Sequence, residues 1–253
     1  MDMAVRRRRP DSTKEVRRQL KKAIDYVDEE LDAWNSIKRE MSPRAVKELA
    51  RLGRTILEKI EVNIYKIRDT LERTYLDPAL YRDREHVAKL VEMAKAVNSY
   101  VESKVKSMID AMLAKIDKAM DVVDDVMREL ESSQGRESST ERRLVERAAS
   151  IRGLIKGIKE KIEESKHTEF YDATVYGIIE MLGGVVYNLE LMIGLRLRPR
   201  EEIEEMGPPY DKLLELYDEV APLYEALKFL DYIYASVAMI VSHVYEIEKA
   251  FDE

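Results

Sequence analysis

Apolar residues recur every three or four positions along most of the chain, which is the spacing of helices that bury one side. Ser12 and Glu15 form a capping box shortly after Pro10, so a first helix is predicted to begin near residue 13. Its apolar positions form a narrow seam of the coiled-coil type: Val16, Leu20, Ile24, Val27, Leu31, Trp34 and Met41.

A second helix is predicted from Ser42 and Pro43, which supply a cap and a first-turn proline, to about Tyr75. Short connections between helices favour antiparallel neighbours, so we expect the first two helices to form a hairpin. The apolar positions inside the second helix are Leu49, Ile56, Ile60, Ile64, Ile67 and Leu71.

A long third helix is predicted between Glu85 and about Glu131, because this stretch contains neither proline nor glycine and its apolar seam is nearly unbroken. At 1.5 Å per residue, one helix of that length would span about 70 Å. The small polar stretch SSQGRESST at 132–140 is the best internal boundary. The helix that follows it has a clean heptad seam at Leu144, Ala148, Ile151, Ile155, Ile158 and Ile162.

Two stretches near the C-terminus, 176–195 and 229–245, are apolar on nearly all sides. A membrane hairpin is one interpretation, but Glu180, Glu190 and Asp231 lie within these stretches, and a central acid costs about 2.5–3.5 kcal/mol on insertion. We therefore expect buried central helices of a C-terminal lobe, in which glycines such as Gly194 mark close helix–helix approach. Pro222 is expected to kink or divide the last of them.

The predicted fold class is all-α, since no strand-like alternation of useful length occurs. We expect an elongated helical bundle with long antiparallel helices and a second, more apolar helical lobe. The predicted divisions are a flexible basic arm at 1–11, an N-terminal long-helix bundle at 12–133, and a C-terminal helical lobe with an acidic end at 134–253.

The charge is distributed unevenly along a chain whose net charge is −7. Residues 1–22 contain nine lysines and arginines against three acids, whereas residues 201–253 contain three lysines against fourteen acids. A basic segment at one end of an acidic chain indicates a polyanionic partner or a docking arm. The acidic C-terminal part is a candidate receptor for the basic segment of a neighbouring copy.

The sequence gives little evidence for a catalytic site or a metal site. The chain has no cysteine, which excludes disulfides and thiol chemistry, and its one Glu-x-x-His pair, Glu164 and His167, falls at a predicted helix end. No glycine-rich phosphate loop occurs. We therefore expect no enzymatic activity, no cofactor and no metal.

Four aspartates on the third helix, at 117, 121, 124 and 125, are spaced to lie on one side of it. Clustered carboxylates of this kind can bind Mg²⁺ and, through it, a diphosphate. Lysines and an arginine are interleaved with them, however, which is typical of a solvated face. A small-molecule helical enzyme using these aspartates remains a third, less favoured hypothesis.

Basic side chains are the most informative group. Arginine binds phosphate oxygens through two parallel hydrogen bonds, and several phosphate contacts give sequence-independent, salt-dependent binding. Lys47, Arg51 and Arg54 are spaced to share one face of the second helix, and Arg152, Lys156 and Lys159 repeat that spacing on the fourth. The candidate nucleic-acid-binding residues are Arg6, Arg7, Arg8, Arg9, Lys14, Arg17, Arg18, Lys21, Lys22, Lys47, Arg51, Arg54, Arg152, Lys156 and Lys159.

The function that these patterns favour is a non-enzymatic structural protein that self-associates as a homo-oligomer and binds nucleic acid through phosphates, as a nucleoprotein or chromatin-like coat of cellular or viral origin. The alternative is a helical adaptor or scaffold whose basic arm binds an acidic protein or an anionic membrane surface. No secretory signal is recognised, so an intracellular or virion location is expected. Few Asn and Gln, no Cys and many charged residues indicate a heat-adapted host.

Overall fold

A computed structural model describes residues 12–133, 139–169 and 171–251. Within these ranges the chain forms seven helices and no strand, so the prediction of an all-α helical bundle is confirmed. The predicted basic arm at 1–11 lies outside the described residues. The helices are α1 (Ser12–Glu40), α2 (Pro43–Leu76), α3 (Arg84–Ser133), α4 (Ser139–Ser165), α5 (Tyr171–Ile193), α6 (Arg200–Glu205) and α7 (Tyr210–Lys249).

The described residues divide into two compact units that are discontinuous along the chain. The first unit contains 12–40, 53–107 and 232–251, and the second contains 41–52 and the described part of 108–231. Helices α2, α3 and α7 each contribute to both units.

The core of the first unit is built from the predicted seams of α1 and α2. All the predicted α1 positions from Val16 to Trp34 are buried, as are the α2 positions from Ile60 to Leu71. The indole N–H of Trp34 donates a hydrogen bond to the Ser236 hydroxyl oxygen at 2.9 Å, which joins α1 to α7 inside this core.

The second unit depends on a close contact between α4 and α5. A Cβ atom added at Gly157 of α4 would lie 2.7 Å from the sulfur of Met181, and one added at Gly184 of α5 would lie 3.0 Å from Leu154. Larger residues at these two positions would require the Met181 and Leu154 side chains to move. The prediction that the α5 glycines mark close helix–helix approach is therefore confirmed for Gly184.

Gly194 has a different role from the one predicted. It lies just beyond α5 with a φ of 71°, and no atom lies within 4 Å of the position that a Cβ would take. The N–H groups of Gly194 and Leu195 both donate to the carbonyl oxygen of Glu190, at 3.0 and 3.2 Å. Gly194 therefore ends the helix in a left-handed cap, a conformation that glycine adopts without a steric penalty.

Between α2 and α3, residues 78–82 form consecutive turns. Of the two outcomes expected at Pro222, a kink or a division, the division does not occur, because α7 runs through Pro222 as one element.

Helices α5 and α7 are long and apolar enough to cross a membrane by length and composition. Helices in the core of a protein without membrane spans pass the same test, so this finding is weak evidence. One side of α5 is buried in the second unit, through residues that include Val175, Ile178, Leu182 and Leu189.

Candidate nucleic-acid interface

The first turns of α1 present an exposed basic surface. Arg6, Arg7, Arg8 and Arg9 lie outside the described residues, but all five predicted basic residues that follow them on α1 are exposed. We call these five the α1 basic segment: Lys14, Arg17, Arg18, Lys21 and Lys22.

Neighbouring side chains hold part of the α1 basic segment in place. Arg18 donates to Glu15 through Nε at 2.8 Å and through Nη2 at 2.6 Å, and these hydrogen bonds lower the pKa of the Glu15 carboxyl. The Arg17 guanidinium lies 5.0 Å from the centre of the Tyr75 ring, at cation–π distance. Lys14 and Lys22 have no ion-pair partner among the described residues, so their ammonium groups are available to an anion.

Two of the three basic residues on the predicted face of α4 pair with acids of α3. The third, Lys156, is exposed and lies 3.9 Å from Glu160 of its own helix. Arg152 donates from Nε to Asp124 at 3.0 Å and from Nη1 to Glu131 at 2.6 Å. Lys159 forms an ion pair with Asp121. A phosphate at Arg152 or Lys159 would compete with these pairs, so these two residues are less available to an anion than Lys14 and Lys22.

Ion pairs occupy three of the four aspartates that were candidates for Mg²⁺ binding: Asp121, Asp124 and Asp125. Arg128 pairs with both Asp124 and Asp125, in addition to the pairs that Arg152 and Lys159 make. Among the residues with described positions, no group of three or more His, Asp or Glu side chains is placed to hold a metal ion. The aspartate cluster of α3 and the basic residues Arg152 and Lys159 of α4 thus form one structural contact between the two helices.

The basic residues of α2 do not form one continuous helical face. The backbone at Gly53 is not helical, with φ 172° and ψ 60°, so the spacing that related Arg54 to Lys47 and Arg51 does not hold across it. Arg54 pairs with Glu58 at 2.8 Å in the first unit. Lys47 and Arg51 belong to the second unit.

Lys47 and Arg51 join three basic residues that sequence reasoning did not select. Together with Arg44, Lys115 and Lys118 they line a cleft of about 470 Å³ within the second unit. Its other lining residues are Glu48, Asp218, Glu219, Pro222 and Leu223. We call this site the α2–α3–α7 cleft.

The carboxylates of the cleft are held in the charged form by their neighbours. The side chain of Glu48 is only 17% exposed, and a hydrogen bond from Lys115 lowers its pKa despite that burial. Burial by itself would raise the pKa of Asp218, but hydrogen bonds and charge from Arg200 and Arg44 outweigh it, so the pKa is lowered. Both acids are therefore ionised at neutral pH and fix the positions of the cations around them.

Comparison with protein-family models, with curated proteins and with solved structures found no match. Function is therefore inferred from the charged surfaces themselves.

Proposed function

We propose that this protein is a non-enzymatic assembly protein that binds nucleic acid through its phosphates, without reading base sequence. The observation that supports this proposal best is the α1 basic segment, which is exposed and begins five residues after the last of four consecutive arginines in the sequence. Nine basic residues within residues 1–22 stand against three acids, in a chain of net charge −7.

The physical basis is the release of counterions from the nucleic acid. Each phosphate that a lysine or arginine neutralises frees condensed cations, which makes binding favourable at low salt and weak at high salt. Arginine adds two parallel hydrogen bonds to one phosphate, so consecutive arginines can follow a strand without contacting its bases.

The structure narrows the proposed interface. Because Arg152 and Lys159 already pair with α3, these two residues are proposed to contribute less to nucleic-acid binding than the α1 basic segment. Binding is proposed to centre on residues 6–22.

Self-association completes the proposal. The acidic C-terminal part, residues 201–253, can receive the basic segment of another copy, and a head-to-tail contact of this kind propagates as a filament if it does not close into a ring. Nucleic acid and the acidic surface then compete for the same basic segment, so nucleic acid is expected to change the assembly state.

A matched pair of double variants tests the proposed interface. Lys14→Gln with Lys22→Gln removes two charges of the α1 basic segment, whereas Lys66→Gln with Lys104→Gln removes two exposed charges elsewhere in the same unit. None of these four lysines has an ion-pair partner among the residues that the structure describes. Fluorescence anisotropy with labelled single-stranded DNA, duplex DNA and RNA in low salt should show weaker binding for the first variant, and unchanged binding for the second.

Two results count against the proposal. Equal weakening by both variants would mean that only net charge matters. No binding of any nucleic acid, together with salt-dependent binding of an acidic peptide, would favour the adaptor alternative.

A further inference from the structure

The α2–α3–α7 cleft brings together cations from distant parts of the chain. Five basic side chains and three carboxylates line it, with Pro222 and Leu223 as its apolar part. The lining residues come from 44–51, 115–118 and 218–223, all of which belong to the second unit.

Internal ion pairs hold two arginines at the cleft without using all their donors. Arg51 contacts Glu48 through Nη1 at 2.8 Å. Arg44 contacts the backbone oxygen and the carboxylate of Asp218 through Nη1, at 3.1 Å in each case. A guanidinium has five N–H donors, so each arginine retains donors for a ligand that enters the cleft.

Two lysines of the cleft have no ion-pair partner among the residues whose positions are described. Lys47 and Lys118 are exposed at the lining of the cavity. Five cations against three carboxylates leave an excess of two positive charges. The complementary ligand therefore has at least two negative charges close together.

The size of the cleft fits a compact ligand. Its volume of about 470 Å³ lies within the range of about 300–1,000 Å³ that is typical of small-molecule sites. A nucleic-acid strand distributes single charges along its length, and an extended stripe of cations suits it better than a group of cations around one cavity. Linked phosphates concentrate several charges within a few ångströms.

We propose that the α2–α3–α7 cleft binds a compact oligophosphate, that is, two or more directly linked phosphate groups. Inorganic triphosphate and the phosphate chain of a nucleoside triphosphate share this chemistry. Lys47 and Lys118 bind the phosphate oxygens, and Arg44 and Arg51 add hydrogen bonds through the donors that their carboxylate partners leave open.

Isothermal titration calorimetry on the full chain tests this site. Inorganic triphosphate is titrated in a low-salt buffer that contains EDTA, so that no metal ion contributes. The test variant is Lys47→Gln with Lys118→Gln, and the control is Lys66→Gln with Lys104→Gln, which takes one lysine from each of the same two helices outside the cleft.

The expected result is saturable binding of one triphosphate per chain, weakened at least about tenfold in the test variant and less than about twofold in the control. The absence of saturable binding would overturn the proposal. Equal weakening in both variants, or unchanged binding in the test variant, would overturn it as well. Circular dichroism confirms that each variant is folded, and neither test lysine has an ion pair whose loss would unfold the unit.

Two further titrations identify the source of the phosphates. Adenosine triphosphate that binds as tightly as inorganic triphosphate indicates recognition of the phosphate chain alone, whereas tighter binding indicates added contacts to the nucleoside. Inorganic monophosphate should bind at least about tenfold more weakly than triphosphate, and equal affinity would contradict the requirement for linked phosphates.

This inference is independent of the proposed nucleic-acid function. Lys14→Gln with Lys22→Gln should leave triphosphate binding unchanged, because neither residue lines the cleft. If the chain binds triphosphate but no nucleic acid, only the proposed nucleic-acid function is wrong. If the chain binds nucleic acid but no triphosphate, only the proposed oligophosphate site is wrong.

Discussion

Arg44 donates a hydrogen bond to the backbone carbonyl oxygen of Asp218 at 3.1 Å. Pro222 lies four residues after Asp218 and has no N–H, so this carbonyl has no helical donor in its usual position. The guanidinium supplies the missing donor, and it also pairs with the Asp218 carboxylate at 3.1 Å. One side chain thus supports α7 at its proline and forms part of the cleft lining.

Arg44→Met is expected to destabilise the protein by about 1 kcal/mol, because it leaves that carbonyl and its carboxylate without this donor. In a Pro222→Ala background the loss of stability caused by Arg44→Met should be smaller, because the alanine N–H can donate to the backbone carbonyl oxygen of Asp218. Urea unfolding followed by circular dichroism measures both effects. The exposed Arg143→Met is the control, and an equal cost of Arg44→Met in both backgrounds would contradict the relationship.

The hydrogen bond between Trp34 and Ser236 gives a second prediction. Both side chains are buried, at 2% and 4% exposure, so Ser236→Ala leaves a buried indole N–H without an acceptor. The expected loss is about 1–3 kcal/mol in the free energy of unfolding. Trp34→Phe removes the donor, and in that background Ser236→Ala should cost much less. Urea unfolding of the parent, the two single variants and the double variant completes a double-mutant cycle. If Ser236→Ala cost the same with Trp34 as with Phe at that position, the hydrogen bond would contribute nothing to stability.

Asp231 gives a prediction for pH. Burial, and to a smaller extent the nearby Asp172 carboxylate, raises its pKa to about 6. The folded state therefore holds this proton more tightly than the unfolded state, in which the pKa is about 3.9. The stabilising contribution is complete below the unfolded value and is lost as the pH rises through about 6.

Asp231→Asn should therefore be more stable than the parent at pH 8 and should show a weaker dependence of stability on pH between 4 and 7. Thermal unfolding across this range, with the exposed Asp32→Asn as the control, measures the difference. A parallel pH dependence in the parent and in Asp231→Asn would contradict the assignment.

The ion pairs between α3 and α4 give a prediction that separates stability from binding. Arg152→Gln leaves Asp124 and Glu131 without a shared cation, so the free energy of unfolding should fall, and the fall should be smaller at high salt because salt screens the pairs. Nucleic-acid affinity should stay unchanged, because this arginine is already neutralised. A loss of affinity comparable with that of Lys14→Gln and Lys22→Gln would return the α4 face to the proposed interface.

The helices could be predicted from the sequence because their signals are local. The cap at Ser42 and the buried spacing from Val16 to Trp34 depend on neighbours within a few turns. The break at Gly53 was missed because an isolated glycine within an apolar pattern is compatible with a continuous helix.

Charge patterns were harder to interpret, because periodicity shows which residues share a face but not what lies opposite. The acids Asp121 and Asp124 and the basic residues Arg152 and Lys159 could be recognised separately from the sequence. That these residues pair could not be predicted, because the pairing depends on how α3 packs against α4. The cleft was missed for the same reason. Its lysines on α2 and α3 are separated by dozens of residues, and no local pattern connects them.

The salt dependence of nucleic-acid binding by the full chain tests the central claim most directly. On a duplex of about 20 base pairs, the logarithm of the association constant should fall linearly with the logarithm of salt concentration, with a slope of about −0.9 for each phosphate neutralised. Lys14→Gln with Lys22→Gln should make that slope less steep by about 1.8. A slope near zero, or no binding even in dilute buffer, would contradict the account.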